Sequence, residues 1–209
     1  MNKNSVIIRK TILLPFCLGL FYLVSIQATD GQIPGKKALF VIDMQENLVN
    51  PSSPMHIDTA GIRTFFTHIN EAIETYQKRG DAVIYIVNEW NNPIENWMTG
   101  NVCKKGGKGV GLDPRLVKVN STIYSKSHPN SLSNKDLLKF IQNSHMTDIT
   151  IVGLMAEGCV KATAKGLKSK NYQVMVVDDA IGSKSFKKKT KTIQYLHNHS
   201  IKTIHTTEI

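Results

Sequence analysis

The sequence lacks several features that would place it at once. It has no internal repeat and no low-complexity segment, which excludes a solenoid and a disordered low-complexity chain. Arginine is not interleaved with aromatic residues, the pattern that grips bases, so nucleic acid is not an expected partner despite a formal net charge of +10. That charge comes mostly from lysine and reads as a solvated surface. Lys187, Lys188 and Lys189 stand near the start of a predicted helix, where cations are electrostatically unhelpful, and they read as a solubility feature. The apolar run Thr11 to Val24 is short of the ~20 residues a membrane-spanning helix needs. Cysteine is scarce: three in 209 residues excludes a small disulfide-built scaffold. What remains is an ordinary globular composition at a length that suits one α/β domain with a substantial core.

The N-terminus is a different material. Lys3, Arg9 and Lys10 precede the apolar run, and polar SIQATDGQ follows it, the order of a secretory signal peptide with cleavage after Ala28. Residues 1–28 are therefore read as a signal peptide, with an uncleaved N-terminal anchor as the alternative; only the anchor would make a membrane a partner. Cys17 lies in the apolar run without small residues before it, so it does not read as a lipoprotein cysteine. The folded part is expected to be exported, periplasmic or secreted. It keeps Cys103 and Cys159, which in an oxidising compartment could form a disulfide or be one reactive thiol and one bystander.

From residue 37 to 207 short apolar runs alternate with amphipathic stretches. Strands are expected at 37–44, 82–89, 121–126, 148–155, 172–179 and 201–206. Helices are expected at 61–79, 134–144, 157–169 and 186–199, with Asn134 as an N-cap and Gly80 ending the first. The stretch from Asn91 to about Asn120 is rich in glycine and reads as a long loop, functional or disordered. Apolar strands alternating with helices imply a parallel sheet covered on both faces, with ligands beyond the carboxyl ends of the strands.

Three residues then fall on that edge. Asp43 ends the first strand, Lys126 the third, and Cys159 follows the fourth in GLMAEGCV. A helix N-terminus and a lysine both favour a thiolate, so Cys159 is the candidate nucleophile. Asp43 is the candidate base for its proton, and Lys126 the cation holding Asp43 ionised. The backbone N–H groups of Gly158 and Cys159, at the helix start, are candidate oxyanion donors. Each has a plainer reading: a packed thiol, a turn carboxylate, a surface ammonium. Trp90 and Trp97, in the long loop, are candidate walls of a substrate pocket, with simple packing as the alternative.

VIDMQ (41–45), YSK (124–126), GLMAEGCV (153–160), CKKGGKGVGLDPRL (103–116) and DDA (178–180), in this order and spacing, resemble the isochorismatase-like cysteine hydrolases. The resemblance implies a Rossmann-like, three-layer α/β/α fold around a six-stranded parallel sheet. It implies an Asp-Lys-Cys triad at Asp43, Lys126 and Cys159, and a cis peptide between Leu154 and Met155. It implies hydrolysis of small-molecule amides or carbamoyl compounds through a thioester, with homo-oligomers common. Isochorismatases proper cleave a vinyl ether without this cysteine, which leaves ether hydrolysis, or a non-catalytic binding protein on the same fold, as alternatives. Nicotinamidases of the family bind metal through an Asp-x-His and a second His after the second strand. Here NEWNNPIENW (88–97) has no histidine, so neither metal nor other cofactor is expected. Many members carry Ser-Ala-Phe after the lysine where Asn130, Ser131 and Leu132 stand here, a departure in the substrate pocket wall.

Overall fold

The computed structural model describes residues 36–55, 57–58 and 61–209. The expected signal segment, 1–28, lies outside the described residues. No helix among those described is long and apolar enough to cross a membrane.

The strand KKALFVI, Lys36–Ile42 (β1), is fully buried from Ala38 onward, because it lies in the middle of a sheet covered on both faces. It pairs in parallel with Ala82–Asn88 (β2) on one side and Met146–Gly153 (β4) on the other. Ile123–Lys126 (β3), Gln173–Ile181 (β5) and Lys202–Ile204 (β6) extend the sheet, all parallel, in the order β3-β2-β1-β4-β5-β6. Successive side chains alternate between faces. Leu39 and Val41 join Val83, Tyr85 and Val152 in one core, against Phe66, Ile69, Ile73 and Tyr76 of Ile62–Lys78 (α1). Phe40 and Ile42 join Ile84, Ile86, Ile149 and Ile151 in the other. That second face is covered by Lys135–Asn143 (α3), Lys161–Lys168 (α4) and Phe186–Asn198 (α5), through Leu137, Ile141, Ala164, Leu167 and Leu196. The result is the three-layer α/β/α arrangement around six parallel strands.

Apart from the helix at 157–169, element ends fall within two residues of those expected, as hydrogen bonding rather than composition sets them. Two differences matter. The expected 30-residue loop contains a short helix, Pro93–Met98 (α2), and Gly109, Gly111 and Asp113 in its remainder make backbone hydrogen bonds to the segment after β1. The expected helix at 157–169 is split: residues Ala156–Val160 form a wide π turn before α4 begins. Gly158 has non-helical φ/ψ of −114° and −105°, and the N–H of Val160 reaches back five residues to the Met155 carbonyl. A single π turn of this kind is common beside functional groups.

Gly153 ends β4 against Ile42 of β1 and Ile181 of β5. Its φ is +110°, and a Cβ there would collide with the Ile42 carbonyl oxygen. Only glycine lets the chain leave the sheet between two strands at this point. Gly153→Ala is expected to cost about 3 kcal/mol or more in urea denaturation. Gly80→Ala, at φ +75° with nothing within 4 Å of the new Cβ, should cost only about 1 kcal/mol.

Candidate active site

Strand order places four carboxyl ends side by side: β3, β2, β1, β4. Each presents a polar group, in the order Lys126, Asn88, Asp43 and, beyond the turn after β4, Cys159. Asp43 follows β1 with φ +55°, a left-handed conformation that a non-glycine residue adopts only where its surroundings fix it. Its N–H donates to the Ile86 carbonyl at 2.7 Å, and its carbonyl accepts from the Gln45 N–H at 2.8 Å. The Gln45 side chain then clamps β2: Oε1 accepts the Asn88 N–H at 2.8 Å, and Nε2 donates to the Asn88 carbonyl at 3.0 Å and to the Val110 carbonyl at 2.7 Å. The glycine-rich stretch completes the brace. Glu46 and Asn47 donate backbone N–H groups to the Gly111 and Gly109 carbonyls, and the Asp113 N–H reaches the Met44 carbonyl.

Lys126 donates through Nζ to Asp43 Oδ2 at 2.9 Å and to Asn88 Oδ1 at 2.6 Å. Asn88 donates through Nδ2 to the same Asp43 Oδ2 at 2.8 Å and to Cys159 Sγ at 3.7 Å. Asp43, Lys126 and Asn88 are all buried. One carboxylate oxygen is thus held twice, while Asp43 Oδ1 is buried and has no hydrogen-bond partner. The Cys159 thiol is Asp43's other polar neighbour.

Burial sets the electrostatics. It raises the Asp43 carboxyl above its usual range, against the pull of the Lys126 charge. Burial works to lower Lys126, but the carboxylate and thiol beside it carry its ammonium above the usual value. The Cys159 thiol is pushed up to about 12, first by burial and then by the negative charge of Asp43, with Lys126 pulling the other way. The expectation of a depressed thiol pKa is therefore corrected: lysine is present, but desolvation and the intervening carboxylate outweigh it. Burial and the neighbouring carboxylate thus favour the thiol form of Cys159 over a standing thiolate.

Other expectations are met differently. Cys103 and Cys159 are both free thiols. Cys103 is wholly buried in the core, and burial pushes its thiol to about 12. The peptide Leu154–Met155 is cis. The Gly158 N–H is not open to a ligand, because it donates to the Met155 carbonyl at 2.9 Å. Trp90 is part-buried and its side chain packs against the core, while its backbone N–H donates to the Cys103 carbonyl at 2.7 Å. Trp97, on α2, is 81% exposed. Ser131 opens a 3₁₀ turn that docks on α4, its hydroxyl 2.9 Å from that of Thr163.

The segment after β2 does not fit a histidine-held zinc. It offers no imidazole, and the Trp90 carbonyl is already taken by the Lys105 N–H at 3.1 Å and Asn96 Nδ2 at 3.2 Å. Among the described residues, Asp178, Asp179 and His205 form a group that could converge on an ion, and it includes none of the four residues above.

Sequence reasoning missed Asn88 and Gln45. The available signal was position: Asn88 ends β2, and once β2 lies between β3 and β1 a polar residue there can bridge Lys126 to Asp43.

An isochorismatase-domain family model matches residues 37–208. A secreted isochorismatase effector of Verticillium dahliae is 24% identical over 117 residues, 56% of this chain and 59% of that protein. The chain thus spans under two thirds of that relative's length. A probable inactive nicotinamidase of Arabidopsis thaliana is 24% identical over 179 residues, covering 79% of this chain and 90% of that one. Among solved structures, an isochorismatase family protein from Desulfovibrio vulgaris aligns with a TM-score of 0.75 at 18% identity, covering 83% of this chain and 95% of its own.

Removing the Asp43 charge removes one cause of the high thiol pKa and leaves Lys126 beside the sulfur. Asp43→Asn is expected to speed iodoacetamide alkylation of Cys159 at neutral pH, read by mass spectrometry against the wild-type protein labelled in parallel. An unchanged or slower rate would show that the carboxylate does not set the state of the thiol.

Proposed function

Because the chain belongs to the isochorismatase family, we propose that it is an exported, metal-independent cysteine hydrolase that cleaves a C–N bond in a small amide or carbamoyl compound. The observation that carries this reading is the buried Asp43 carboxylate, held through Oδ2 by Lys126 and Asn88, with Oδ1 left unshared and the Cys159 thiol among the carboxylate's neighbours. As Cys159 Sγ attacks the carbonyl carbon, Asp43 Oδ1 takes the thiol proton. The Cys159 N–H receives the developing oxyanion. Asp43 returns the proton to the leaving nitrogen, and the C–N bond breaks to leave a thioester and a free amine. Water then attacks, Asp43 accepts its proton, and the thiol and a carboxylic or carbamic acid are released. Lys126 stays protonated throughout and keeps the carboxylate charged when its proton has gone. A thiol with a pKa near 12 suits this order, because proton removal and attack occur together. Export is supported by the order of the N-terminal segment and by the secreted Verticillium relative.

The raised Asp43 carboxyl supports one second reading. A carboxylic acid that holds its proton above the usual range can protonate an ether oxygen, so Asp43 could cleave a vinyl ether without the thiol.

Cys159→Ala, with an unchanged circular dichroism spectrum, is expected to lower turnover of an amide substrate by about 10⁴-fold or more. Cleavage of a vinyl ether that is retained in Cys159→Ala but lost in Asp43→Asn would establish the ether chemistry instead. In the wild type, kcat/KM should fall on acidification through a pKa above the ordinary carboxylate value of ~4, because the base must be ionised. An acid limb at or below that value would remove Asp43 as the base.

A further inference from the structure

The lysines of the chain are not spread evenly. Among α1 to α5, only α4 and α5 carry no acidic residue; Glu71 and Glu74 stand on α1, Glu95 on α2 and Asp136 on α3. These two helices are neighbours on one face of the sheet, where Lys161 Nζ of α4 lies 5.2 Å from the centre of the Tyr195 ring of α5. From Gly158 to Thr207 the only acidic residues are Asp178 and Asp179, which stand on β5 and engage His68, His205 and Thr206.

The exposed lysines gather on one side of α5. Lys187 and Lys191 are one turn apart, on the side opposite buried Leu196. Lys188 flanks them and Lys184 stands just before the helix, both exposed. Lys189 is turned inward: it is half-buried, and burial lowers its pKa despite the charges of Asp178 and Asp179. Glu157 stands at the border. It accepts from Ser183 Oγ at 2.7 Å and from the Lys184 N–H at 3.3 Å, with Lys188 Nζ 4.0 Å away.

Cations at the start of a helix oppose its dipole, so this crowding does nothing for the stability of α5. Phe186, beside Lys187 in the same first turn, is 80% exposed. An exposed apolar ring among ammonium groups suits an anionic bilayer: the ring enters the boundary of the acyl chains while the lysines meet phosphates. Lysine serves this purpose as a point charge, without the fork by which arginine reads a particular group.

We propose that this side of α5, with Phe186, Lys184, Lys187, Lys188 and Lys191, is a docking surface for an anionic lipid bilayer. The attachment is peripheral and reversible, unlike an N-terminal anchor. β5 leads into α5 at the carboxyl edge of the sheet, and Glu157 belongs to the π turn of Cys159, so docking brings the candidate active site towards the lipid surface. The proposal does not depend on the hydrolase reading.

The full chain is sedimented with vesicles of phosphatidylcholine alone and of phosphatidylcholine mixed equally with phosphatidylglycerol. Two double variants remove the same charge from different places: Lys187→Gln with Lys191→Gln on α5, and Lys135→Gln with Lys139→Gln on α3, where both lysines are also exposed. The wild type is expected to bind the anionic vesicles more tightly than the neutral ones. The α5 variant should lose about 25-fold in affinity for them, about fivefold per lysine, while the α3 variant keeps wild-type affinity. High salt should close the gap between the two. Phe186→Ser should weaken binding about tenfold at either salt concentration. Equal losses in the two double variants would show that net charge alone attracts the chain. Equal binding to both vesicles, unchanged in every variant, would assign it to the N-terminal apolar run. Loss of heparin binding in the α5 variant, with Phe186→Ser still binding vesicles as the wild type does, would make the surface one for a soluble polyanion. Each of these three results would overturn the proposal.

Discussion

The ion pair between Asp43 and Lys126 is the constraint on which the rest of the site depends. Both groups are buried, and taking two charges out of water is tolerated only where geometry and further hydrogen bonds compensate. Asn88 supplies that compensation from the strand between them, accepting from the lysine and donating to the carboxylate. Loss of one partner would strand the other charge in the core, at a cost of about 3–5 kcal/mol. The pair is therefore a commitment of the fold as much as of the chemistry.

Much of the molecule can be read as support for that pair. The apolar strands hold the carboxyl edge rigid. Gln45 fixes β2 to the segment after β1, so that Asn88 and Asp43 keep their register. The glycine-rich stretch contributes carbonyl groups to the same brace, and its close approach requires glycine: at Gly109, φ is +73° and a side chain would strike Asn47. A segment that looks loose in composition is ordered because its backbone does the bonding.

The thiol presents a different balance. A lysine near a cysteine is commonly taken to mean a thiolate, but the ammonium here is already spent on Asp43 and Asn88, and the carboxylate lies with it against the sulfur. Burial and that charge keep the proton on Cys159. Thiol and carboxylate are thus coupled electrostatically, and Oδ2 alone carries the hydrogen bonds of the carboxylate to Lys126 and Asn88.

The sequence by itself determined the class of fold and the place of the candidate site. Strand and helix periods, and the positions of Asp43, Lys126 and Cys159 at strand ends, are local properties that composition and spacing express. Their one-dimensional signal is strong because a buried parallel strand must be apolar throughout and a carboxyl end must turn. Tertiary structure decided what that signal could not carry. Strand order made Asn88 the bridge, since nothing local says which strand lies between two others. The packing of the β4 turn closed the Gly158 N–H and shaped the π turn, because those bonds run to residues the helix period does not reach. It also turned the expected lowering of the thiol's pKa into a rise. A pKa is set by desolvation and by charges from distant parts of the chain, and both exist only once those parts have met.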